Sequence, residues 1–360
     1  MILNWGELIT LEYGKPVKDK ESTDGKVPVY GTNGQIGTSH LPAQCKHPSF
    51  ILGRKGAYRG VHYSDCPFSV IDTAFYAEPL TDRIDLKWAY YKFLTYDING
   101  MDSGSAIPST DRYQIYSIEV EVPPLEKQRK IVAVLDCIDR KININQKVND
   151  NLQQQAAALF SSLYNRSNTE VRYTDLIQIL GGGTPKTGET AYWNGNIAFF
   201  TPKDVGTPYT FITEKTITEE GLSHCNSRLY PVNTVFVTAR GTVGKVGLSG
   251  VPMAMNQSCY ALVGRETHQL LVYFYTLKVV DRLKHKASGA VFDAITTRDF
   301  ESEQIMKLSD DDGRAFLCVA EPMYQEILNN SIENLRLSTL RDFLLPKLMS
   351  GEIDISNIQF

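Results

Sequence analysis

The sequence lacks any run of about 18 uncharged apolar residues, the length that a membrane-spanning helix requires. Glu7 stands where a signal peptide would be apolar. These two absences predict a cytoplasmic protein with no membrane contact. The six cysteines include no C-x-x-C pair, so we expect reduced thiols and no disulfides.

The motifs of common enzyme classes are missing as well. The sequence contains no G-x-S-x-G, no H-E-x-x-H, no complete phosphate-binding loop and no dinucleotide-binding fingerprint. It also lacks the Asn-Pro-Pro-aromatic and Asp-Pro-Pro-aromatic tetrapeptides that amino-methyltransferases use. The chain is therefore predicted to be non-catalytic and to need no cofactor.

Four side chains are potential metal ligands: Cys45, His47, His62 and Cys66 could supply a tetrahedral zinc site. Their spacing matches no strong zinc signature. We therefore interpret them as packing residues and predict no metal site.

The segment GGGTPK at 181–186 has part of a phosphate-binding loop. The full motif, G-x-x-x-x-G-K-[ST], needs a glycine directly before the lysine, because backbone N–H groups wrap the phosphates. Pro185 occupies that place and removes one N–H donor. A turn followed by a strand at 197–201 is favoured, and a nucleotide-dependent enzyme is kept as an alternative.

A net charge of −4 argues against a protein that coats a polyanion by bulk charge. The chain does contain two basic, glycine-punctuated loops, GRKGAYRG at 53–60 and ARGTVGKV at 239–246. Glycine permits close backbone approach to a ligand, and Arg, Lys and Thr contact phosphates or base edges.

The chain contains an internal repeat, in which residues 51–77 align without a gap with residues 236–262. The matched pairs, each 185 positions apart, include Gly56 with Gly241, Asp72 with Gln257, and Ser103-Gly104 with Ser288-Gly289. The match then continues with a small slip, from 107–115 to 294–302. Two copies of one domain are therefore predicted.

A helical sequence follows each copy. Residues 125–164 lack Gly and Pro, and their apolar positions alternate steps of four and three, as in a coiled-coil seam. A second candidate helix begins at Met323, after Pro322. We expect an antiparallel pair in which Asn145 and Asn149 fix the register.

The predicted fold class is α+β, with two strand-rich mixed α/β domains joined by two long antiparallel coiled-coil helices in an internal pseudo-two-fold repeat. The predicted boundaries are a first domain at 1–122, a central helix at 123–166, a second domain at 167–310 and a C-terminal helix at 311–360. The predicted strands are VPVY, SFIL, TAFYA, IAFF and TVFVTA, and one shorter helix is expected in each domain, at 85–98 and 268–286.

Over nearly all its length, the sequence resembles the specificity subunit of Type I restriction-modification systems. The phrases that carry the resemblance are GGGTPKTGE, YWNGNIAFFTPKDV, VPVYGTNGQIG, PFSVIDTAFYA, PPLEKQRKIVAVL and LRDFLLPKLMSGEIDI. The resemblance implies two target-recognition domains, each of which reads one half of an asymmetric bipartite site in double-stranded DNA. The helices would set the gap between the half-sites and dock modification subunits.

The partners implied by the resemblance are double-stranded DNA, two modification (methyltransferase) subunits and, through the complex, restriction (translocase/nuclease) subunits. The acidic net charge differs from the basic charge expected of a chain that binds DNA alone. The partner subunits would therefore neutralise many of the phosphates. A second hypothesis is a coiled-coil scaffold whose two domains bind protein or carbohydrate. DNA binding would weaken steeply as salt rises, which separates the two hypotheses.

We predict DNA contacts from loop side chains. In the first domain they are Lys15, Asn33, Arg54, Lys55, Tyr58, Arg59 and Arg112. In the second domain they are Lys186, Trp193, Lys203, Arg240, Thr242, Lys245 and Arg298. Lys15, Arg59, Lys203 and Lys245 suit phosphates, Asn33 suits adenine, and Arg240 suits guanine. Trp193 is equally well interpreted as a core aromatic, and Asn256 and Gln257 are interpreted as strand residues and excluded.

Overall fold

The computed structural model of the chain describes residues 1–20, 22, 24–101, 108–286 and 294–355. The chain forms two compact units: unit 1 comprises Met1–Asn143 with Leu335–Phe360, and unit 2 comprises Ile144–Asn334. The predicted match of Ser103-Gly104 with Ser288-Gly289 lies outside the described residues. Within those residues, no helix is long and apolar enough to cross a bilayer.

Unit 1 is built on a four-stranded antiparallel sheet. Its strands are β1 (Ile2–Asn4), β2 (Ile9–Tyr13), β3 (Val27–Gly31), β4 (Gly34–Ser39), β5 (Ser49–Gly53), β6 (Val61–Ser64), β7 (Ser69–Val70), β8 (Ala74–Pro79) and β9 (Glu119–Glu121). Its helices are α1 (Trp5–Leu8), α2 (Leu86–Phe93), α3 (Arg112–Tyr116) and the first part of α4 (Leu125–Arg166). The main sheet has the order β2-β8-β5-β6, a second sheet has the order β4-β3-β7, and β1 pairs with β9.

Unit 2 repeats this plan with one additional strand. Its strands are β10 (Thr169–Arg172), β11 (Ile177–Gly181), β12 (Trp193–Phe200), β13 (Tyr209–Thr210), β14 (Lys215–Ile217), β15 (Val235–Thr238), β16 (Val246–Ser249), β17 (Met253–Met255), β18 (Cys259–Gly264) and β19 (Gln304–Lys307). Its helices are α5 (Tyr173–Leu176), α6 (Glu219–Ser223), α7 (Gln269–Lys286), α8 (Thr297–Glu301) and most of α9 (Asp310–Ser350). The sheets have the orders β11-β18-β15-β16-β13 and β14-β12-β17, and β10 pairs with β19.

The shared strand order confirms the internal repeat. The spacing of 185 positions holds for β8 and β18, as predicted, and extends further along the chain than predicted, since α3 also precedes α8 by that spacing. The predicted slip is wrong. The isolated bridge between Lys55 and Ser109 recurs between Arg240 and Ala294 at the same spacing. Burial sets this register, because Ile115 and Phe300, also 185 positions apart, both fill their cores, whereas the predicted slip would pair Ile115 with the exposed Ser302.

The long helices contribute to the core of each unit. In unit 1, Leu135 of α4 and Leu348 of α9 join the core around Trp5, whose ring lies 4.6 Å from that of Phe93. In unit 2, Phe160 of α4 lies 5.4 Å from Phe316 of α9 and 5.0 Å from Phe274 of α7, between ring centroids. The helices therefore form part of both hydrophobic cores.

Helix α9 begins one residue before the predicted boundary at 311 and 13 residues before the coiled-coil pattern that starts at Met323, and Pro322 lies inside it. Pro322 is exposed, so the carbonyl group that loses its helical N–H partner can bind water. The helix starts at a capping side chain, because the Ser309 hydroxyl accepts a hydrogen bond of 3.1 Å from the Asp312 N–H. Three aspartates in the first turn, Asp310–Asp312, also interact favourably with the helix dipole.

In unit 2, the two helices run antiparallel and meet through a polar layer. The Asn145 amide donates to Glu333 at 2.7 Å and to Asn334 at 2.9 Å. One turn further, the Asn330 amide donates to the Asn149 side-chain oxygen at 3.0 Å, and both of these residues are buried. Paired amides in an apolar seam stabilise one register because a shifted register leaves them without partners.

We expect Asn149→Ala to lower the free energy of unfolding by about 1–3 kcal/mol, because it leaves the buried Asn330 amide without its acceptor. The double change Asn149→Leu with Asn330→Leu should recover most of this loss, since it removes both polar groups. Urea unfolding followed by circular dichroism measures both. Exposed Asn151→Ala on the same helix is the control, and equal losses in the single and double variants would contradict this role for the polar layer.

Candidate nucleic-acid interface

In unit 1, several loops meet at one edge of the sheets, which we call loop edge 1. It comprises the end of β2 with Lys15, the β3–β4 turn, the β5–β6 loop at 54–58, the turn at 71–73, and the segment 108–112. Backbone hydrogen bonds join these parts: Lys15 N–H donates to Val70 at 2.9 Å, and Thr110 N–H donates to Arg54 at 2.9 Å. The N–H of Gly60 donates to Thr32 at 3.0 Å.

Two of the predicted arginines, Arg54 and Arg112, contact the same aromatic ring at this edge. The guanidinium carbon of Arg54 is 4.7 Å from the centroid of Tyr13, and that of Arg112 is 4.9 Å from it. Arg112 also donates to the Tyr113 hydroxyl at 3.2 Å, and this hydrogen bond raises the pKa of Arg112. Cation–π contacts of this kind help to hold the guanidinium groups in place, and Arg54 Nη1 also donates to the Asp72 carbonyl at 3.2 Å.

Four further predicted residues of unit 1 lie on loop edge 1. Lys15, Asn33 and Tyr58 are exposed, and Lys55 is half-buried. Beside the Asn33 turn, burial lowers the pKa of His62, so this imidazole adds no positive charge at neutral pH.

Arg59 does not lie on this surface. Only 2% of the residue is exposed, and its Nη2 donates to the Asn99 carbonyl at 2.6 Å. Its position within a basic, glycine-rich loop indicated exposure, but the loop turns this side chain inward. A guanidinium buried in this way is not available to a phosphate, so we exclude Arg59 from the proposed contacts.

The glycine segment of unit 2 runs across the neighbouring strands rather than around a free cavity. Gly183 N–H donates to the Met255 carbonyl at 3.2 Å, as Lys15 N–H does to Val70 in unit 1. A Cβ added at Gly182 would lie 2.2 Å from the carbonyl oxygen of Asn256, so only glycine fits there. Glycine at this position permits close contact between two backbone segments. This contact accounts for the glycine, so a nucleotide-binding role is not needed to explain it.

Unit 2 has an equivalent edge, loop edge 2, formed by the segment 182–186, the turn 201–204, the β15–β16 loop, the turn 256–258 and the segment 294–298. An open groove of 470 Å³ lies in it. It is lined by Thr201, Pro202, Lys203, Glu214, Lys215, Arg240, Gly241, Thr242, Asn256 and Ser258. The structure therefore brings together Lys203, Arg240 and Thr242, which the sequence predicts as DNA contacts.

Arg240 is anchored through its backbone, and its side chain projects outward. Its N–H donates to the Ser258 carbonyl at 3.2 Å, and Gly241 has a φ of +79°, which turns the loop sharply. The guanidinium makes no hydrogen bond or ion pair with any residue in the described ranges. Lys203 pairs with Glu214 at 3.2 Å, but both are largely exposed, so the pair competes weakly with another anion.

The other predicted residues of unit 2 are not among those that line this groove, and Lys245 lines a different groove together with Val205 and Lys284. Trp193 is half-buried, donates from Nε1 to the Lys186 carbonyl at 3.1 Å, and has the Lys215 ammonium 5.6 Å from its ring. Its edge contact with Phe199 supports the alternative interpretation as a packing residue. Lys245 on the β15–β16 loop and Arg298 on α8 are both exposed.

Several polar residues at loop edge 2 were not predicted as contacts, among them Asn256, Gln257 and Lys215. The β-prone neighbours of Asn256 and Gln257 indicated that both are strand residues. This interpretation is wrong, because both lie in the turn between β17 and β18. Asn256 lines the groove, and Gln257 accepts a hydrogen bond from the Thr184 hydroxyl. Lys215 also lines the groove. The alignment of Gln257 with Asp72 could have indicated this turn from the sequence, because aspartate is common in turns.

Gly182→Ala should lower the free energy of unfolding by about 2 kcal/mol or more, since its methyl group would overlap the Asn256 carbonyl. Gly181→Ala is the matched control, because no atom lies within 4 Å of the added Cβ. Thermal unfolding of the two variants gives the comparison. Similar melting temperatures would show that the 182–186 segment does not pack as described.

Comparisons with known proteins agree with this duplicated plan. The family described as "Type I restriction modification DNA specificity domain" matches residues 4–154 and 165–307, once in each copy. The chain is 23% identical over 346 residues to the Type I restriction enzyme HindI specificity subunit of Haemophilus influenzae, covering 73% of this chain and 74% of that protein. It is 27% identical over 278 residues to the EcoR124I/EcoR124II specificity subunit of Escherichia coli, covering 66% and 67%.

Two further similarities concern a shorter segment and the fold. The chain is 31% identical to the MjaIX specificity subunit of Methanocaldococcus jannaschii over 124 residues, but spans only 29% of that protein. The crystal structure of the Type I restriction-modification S subunit from M. genitalium superposes with a TM-score of 0.65 at 16% identity, covering 97% of this chain and 95% of that one. This second similarity concerns the fold alone.

Two copies of one α/β domain, each followed by a long helix and each with a basic loop edge, define a two-domain specificity protein. The family match covers most of both copies. The chain belongs to the family of Type I restriction-modification specificity subunits.

Proposed function

We propose that this chain reads an asymmetric bipartite site in double-stranded DNA, one half-site with each unit. It acts in the cytoplasm as a non-catalytic subunit that docks modification subunits and, through the complex, restriction subunits. The observation that carries the DNA-reading proposal is the groove of loop edge 2, where Arg240 projects beside the amide of Asn256. Guanidinium and amide groups are the side chains that form paired hydrogen bonds with guanine and adenine.

The equivalence of the two edges supports reading by both units. The same backbone contacts build each: Arg54 and Lys55 donate to the Thr73 carbonyl in unit 1, and Ala239 and Arg240 donate to the Ser258 carbonyl in unit 2. Equivalent framework positions thus present loops to a ligand in the same way.

The outward side chains of the two edges differ at equivalent positions. The pairs at a spacing of 185 are Lys55 and Arg240, Tyr58 and Val243, Ile71 and Asn256, Asp72 and Gln257, and Arg112 and Thr297. Because direct reading depends on the donors and acceptors that face the bases, different side chains on one framework select different bases. This difference supports an asymmetric site, with the two halves unlike in sequence.

We expect Arg240→Ala to weaken binding to the specific site by roughly 1–3 kcal/mol and to leave non-specific DNA binding nearly unchanged, since it removes a base contact. Lys245→Ala should weaken specific and non-specific binding about equally. It should also reduce the slope of log affinity against log salt concentration by about one, because one phosphate contact is lost. Fluorescence anisotropy of the assembled complex at several salt concentrations measures both effects.

Arg172→Ala is the matched control for the loss of one positive charge. Arg172 is exposed and ends β10, just before α5, whereas Arg240 lies on loop edge 2. If Arg240→Ala and Lys245→Ala behave like this control at every salt concentration, loop edge 2 does not face DNA. If the affinity of the unchanged chain does not depend on salt concentration, the hypothesis of a scaffold that binds protein or carbohydrate is favoured instead.

Exposed apolar side chains on α9 support docking of modification subunits at the helices. In unit 1, Leu340 and Phe343 are 45% and 59% exposed, and Lys347 lies 5.1 Å from the Phe343 ring. An aromatic side chain exposed beside a cation is typical of a residue that a protein partner covers. We therefore propose that Phe343 on α9 contacts a modification subunit.

We also infer that helix length sets the gap between half-sites. Helix α4 has 42 residues, which corresponds to roughly 63 Å. A seven-residue insertion between Asn143 and Ile144, matched by one between Asn334 and Leu335, keeps the seam on the same helix face. It adds about 10.5 Å to each helix, or roughly three base pairs.

Selection of bound sequences from random DNA by the assembled complex measures this prediction. The preferred gap should grow by roughly three base pairs while both half-sites keep their sequence. An insertion in α4 alone is the control, because it interrupts the pairing with α9 without preserving the register. A changed half-site sequence with an unchanged gap would contradict the inference.

A further inference from the structure

Three potential metal ligands converge in unit 1, and none of them is among the predicted DNA contacts. They are the Cys45 thiol, the imidazole Nε2 of His47 and the carboxylate of Glu78, and their ligand atoms all lie within 4.8 Å of one another. The Cys45 sulfur is 3.9 Å from His47 Nε2, and that nitrogen is 2.6 Å from Glu78 Oε2. Cys45 is buried, whereas His47 and Glu78 are each about one third exposed.

The backbone holds these ligands in place. Cys45 exchanges two hydrogen bonds with Phe68, with Cys45 N–H donating at 3.0 Å and Phe68 N–H donating at 3.1 Å. Glu78 lies on β8, opposite Thr10 of β2. The other ring nitrogen of His47, Nδ1, lies 3.0 Å from the Pro48 carbonyl. A backbone carbonyl in this position is the usual partner that orients a metal-binding histidine and leaves Nε2 for the ion.

This group differs from the one that sequence spacing brought together. His62 faces the Thr32 carbonyl at 3.3 Å, and Cys66 is exposed and lies 3.7 Å from the Ser64 hydroxyl. Neither joins Cys45 and His47. Their place is taken by Glu78, which sheet pairing brings close although it lies 31 positions after His47.

We propose that Cys45, His47 and Glu78 form a zinc-binding site with water as the fourth ligand. Zinc accepts thiolate, imidazole and carboxylate at about 2.3, 2.0 and 2.1 Å, which places sulfur and nitrogen ligands roughly 3.6 Å apart in a tetrahedron. The observed 3.9 Å is within a few tenths of an ångström of this distance. Glu78 and His47 share a hydrogen bond. The partly exposed Glu78 side chain needs only to rotate away from His47 to leave space for zinc between them.

The second copy shows that the fold does not require these side chains. The positions 185 residues later are Tyr230, Val232 and Val263, none of which is a zinc ligand of this kind. Yet Tyr230 forms the same two backbone hydrogen bonds with Met253 that Cys45 forms with Phe68. The three ligands are thus an addition to the framework of unit 1, as a binding site would be.

The ion would join the segment before β5 to the end of β8. The adjacent residue, Gln44, accepts from Lys15 N–H at 3.3 Å and donates to the Lys15 carbonyl at 3.2 Å. An ion that fixes Cys45 therefore stiffens the support of Lys15. Its role in this position is structural, and it does not depend on whether loop edge 1 contacts DNA.

The test uses the full chain after treatment with a chelator, with zinc alone as the probe. Equilibrium dialysis should show one saturable zinc ion per chain. Cys45→Ser and Glu78→Gln should each weaken binding by roughly tenfold or more. Glu78 is partly exposed, so its variant tests the site even if the buried cysteine variant is unstable.

Cobalt(II) gives an independent readout, because a thiolate ligand produces a charge-transfer band that carboxylate and imidazole alone do not. We expect this band in the unchanged chain, its loss in Cys45→Ser, and its persistence in the control Cys66→Ser, which alters a nearby exposed cysteine outside the site. The absence of saturable zinc binding would overturn the proposal. So would a band that disappears in Cys66→Ser and persists in Cys45→Ser.

Discussion

The packing of two long helices into the cores of both units is the interaction on which the rest of the structure depends. In unit 1, Leu135 of α4 and Leu348 of α9 complete the core around Trp5, and in unit 2 Phe160 and Phe316 meet inside the core. Large apolar side chains buried in this way each contribute about 1.5–3 kcal/mol, compared with about 1 kcal/mol for a typical hydrogen bond. The helices are therefore inseparable from the domains that they follow.

A rigid framework with variable outer side chains follows from the way the loop edges are built. Backbone hydrogen bonds and close backbone contacts fix the loops, as at Gly182, and such contacts do not depend on which side chains point outward. Replacing Lys55 by Arg240, or Ile71 by Asn256, therefore changes the chemistry of the edge without changing its construction. This separation of support from surface would allow the two units to read different bases in the proposed function.

Loop edge 2 groups positive charge in a chain whose overall charge is −4. Lys203, Lys215 and Arg240 line one groove with Glu214, and the Lys203–Glu214 pair is exposed enough for a phosphate to compete with it. In unit 1, Arg54 and Arg112 contact the Tyr13 ring, and neither forms an ion pair with a carboxylate of the described residues. In the proposed function, local geometry and not net charge would provide the attraction for DNA.

The sequence by itself determined the features that depend on local pattern: the two copies, the helices with their asparagine pair, the predicted strands and most of the exposed loop residues. The tertiary structure alone decided which side chains of those loops face inward, since Arg59 is buried while the neighbouring Tyr58 is exposed. It also placed Asn256 in a turn and extended α9 through Pro322, against local propensity. Glu78 joins Cys45 and His47 only because strand pairing brings distant positions together, and such long-range pairing leaves no mark in local spacing.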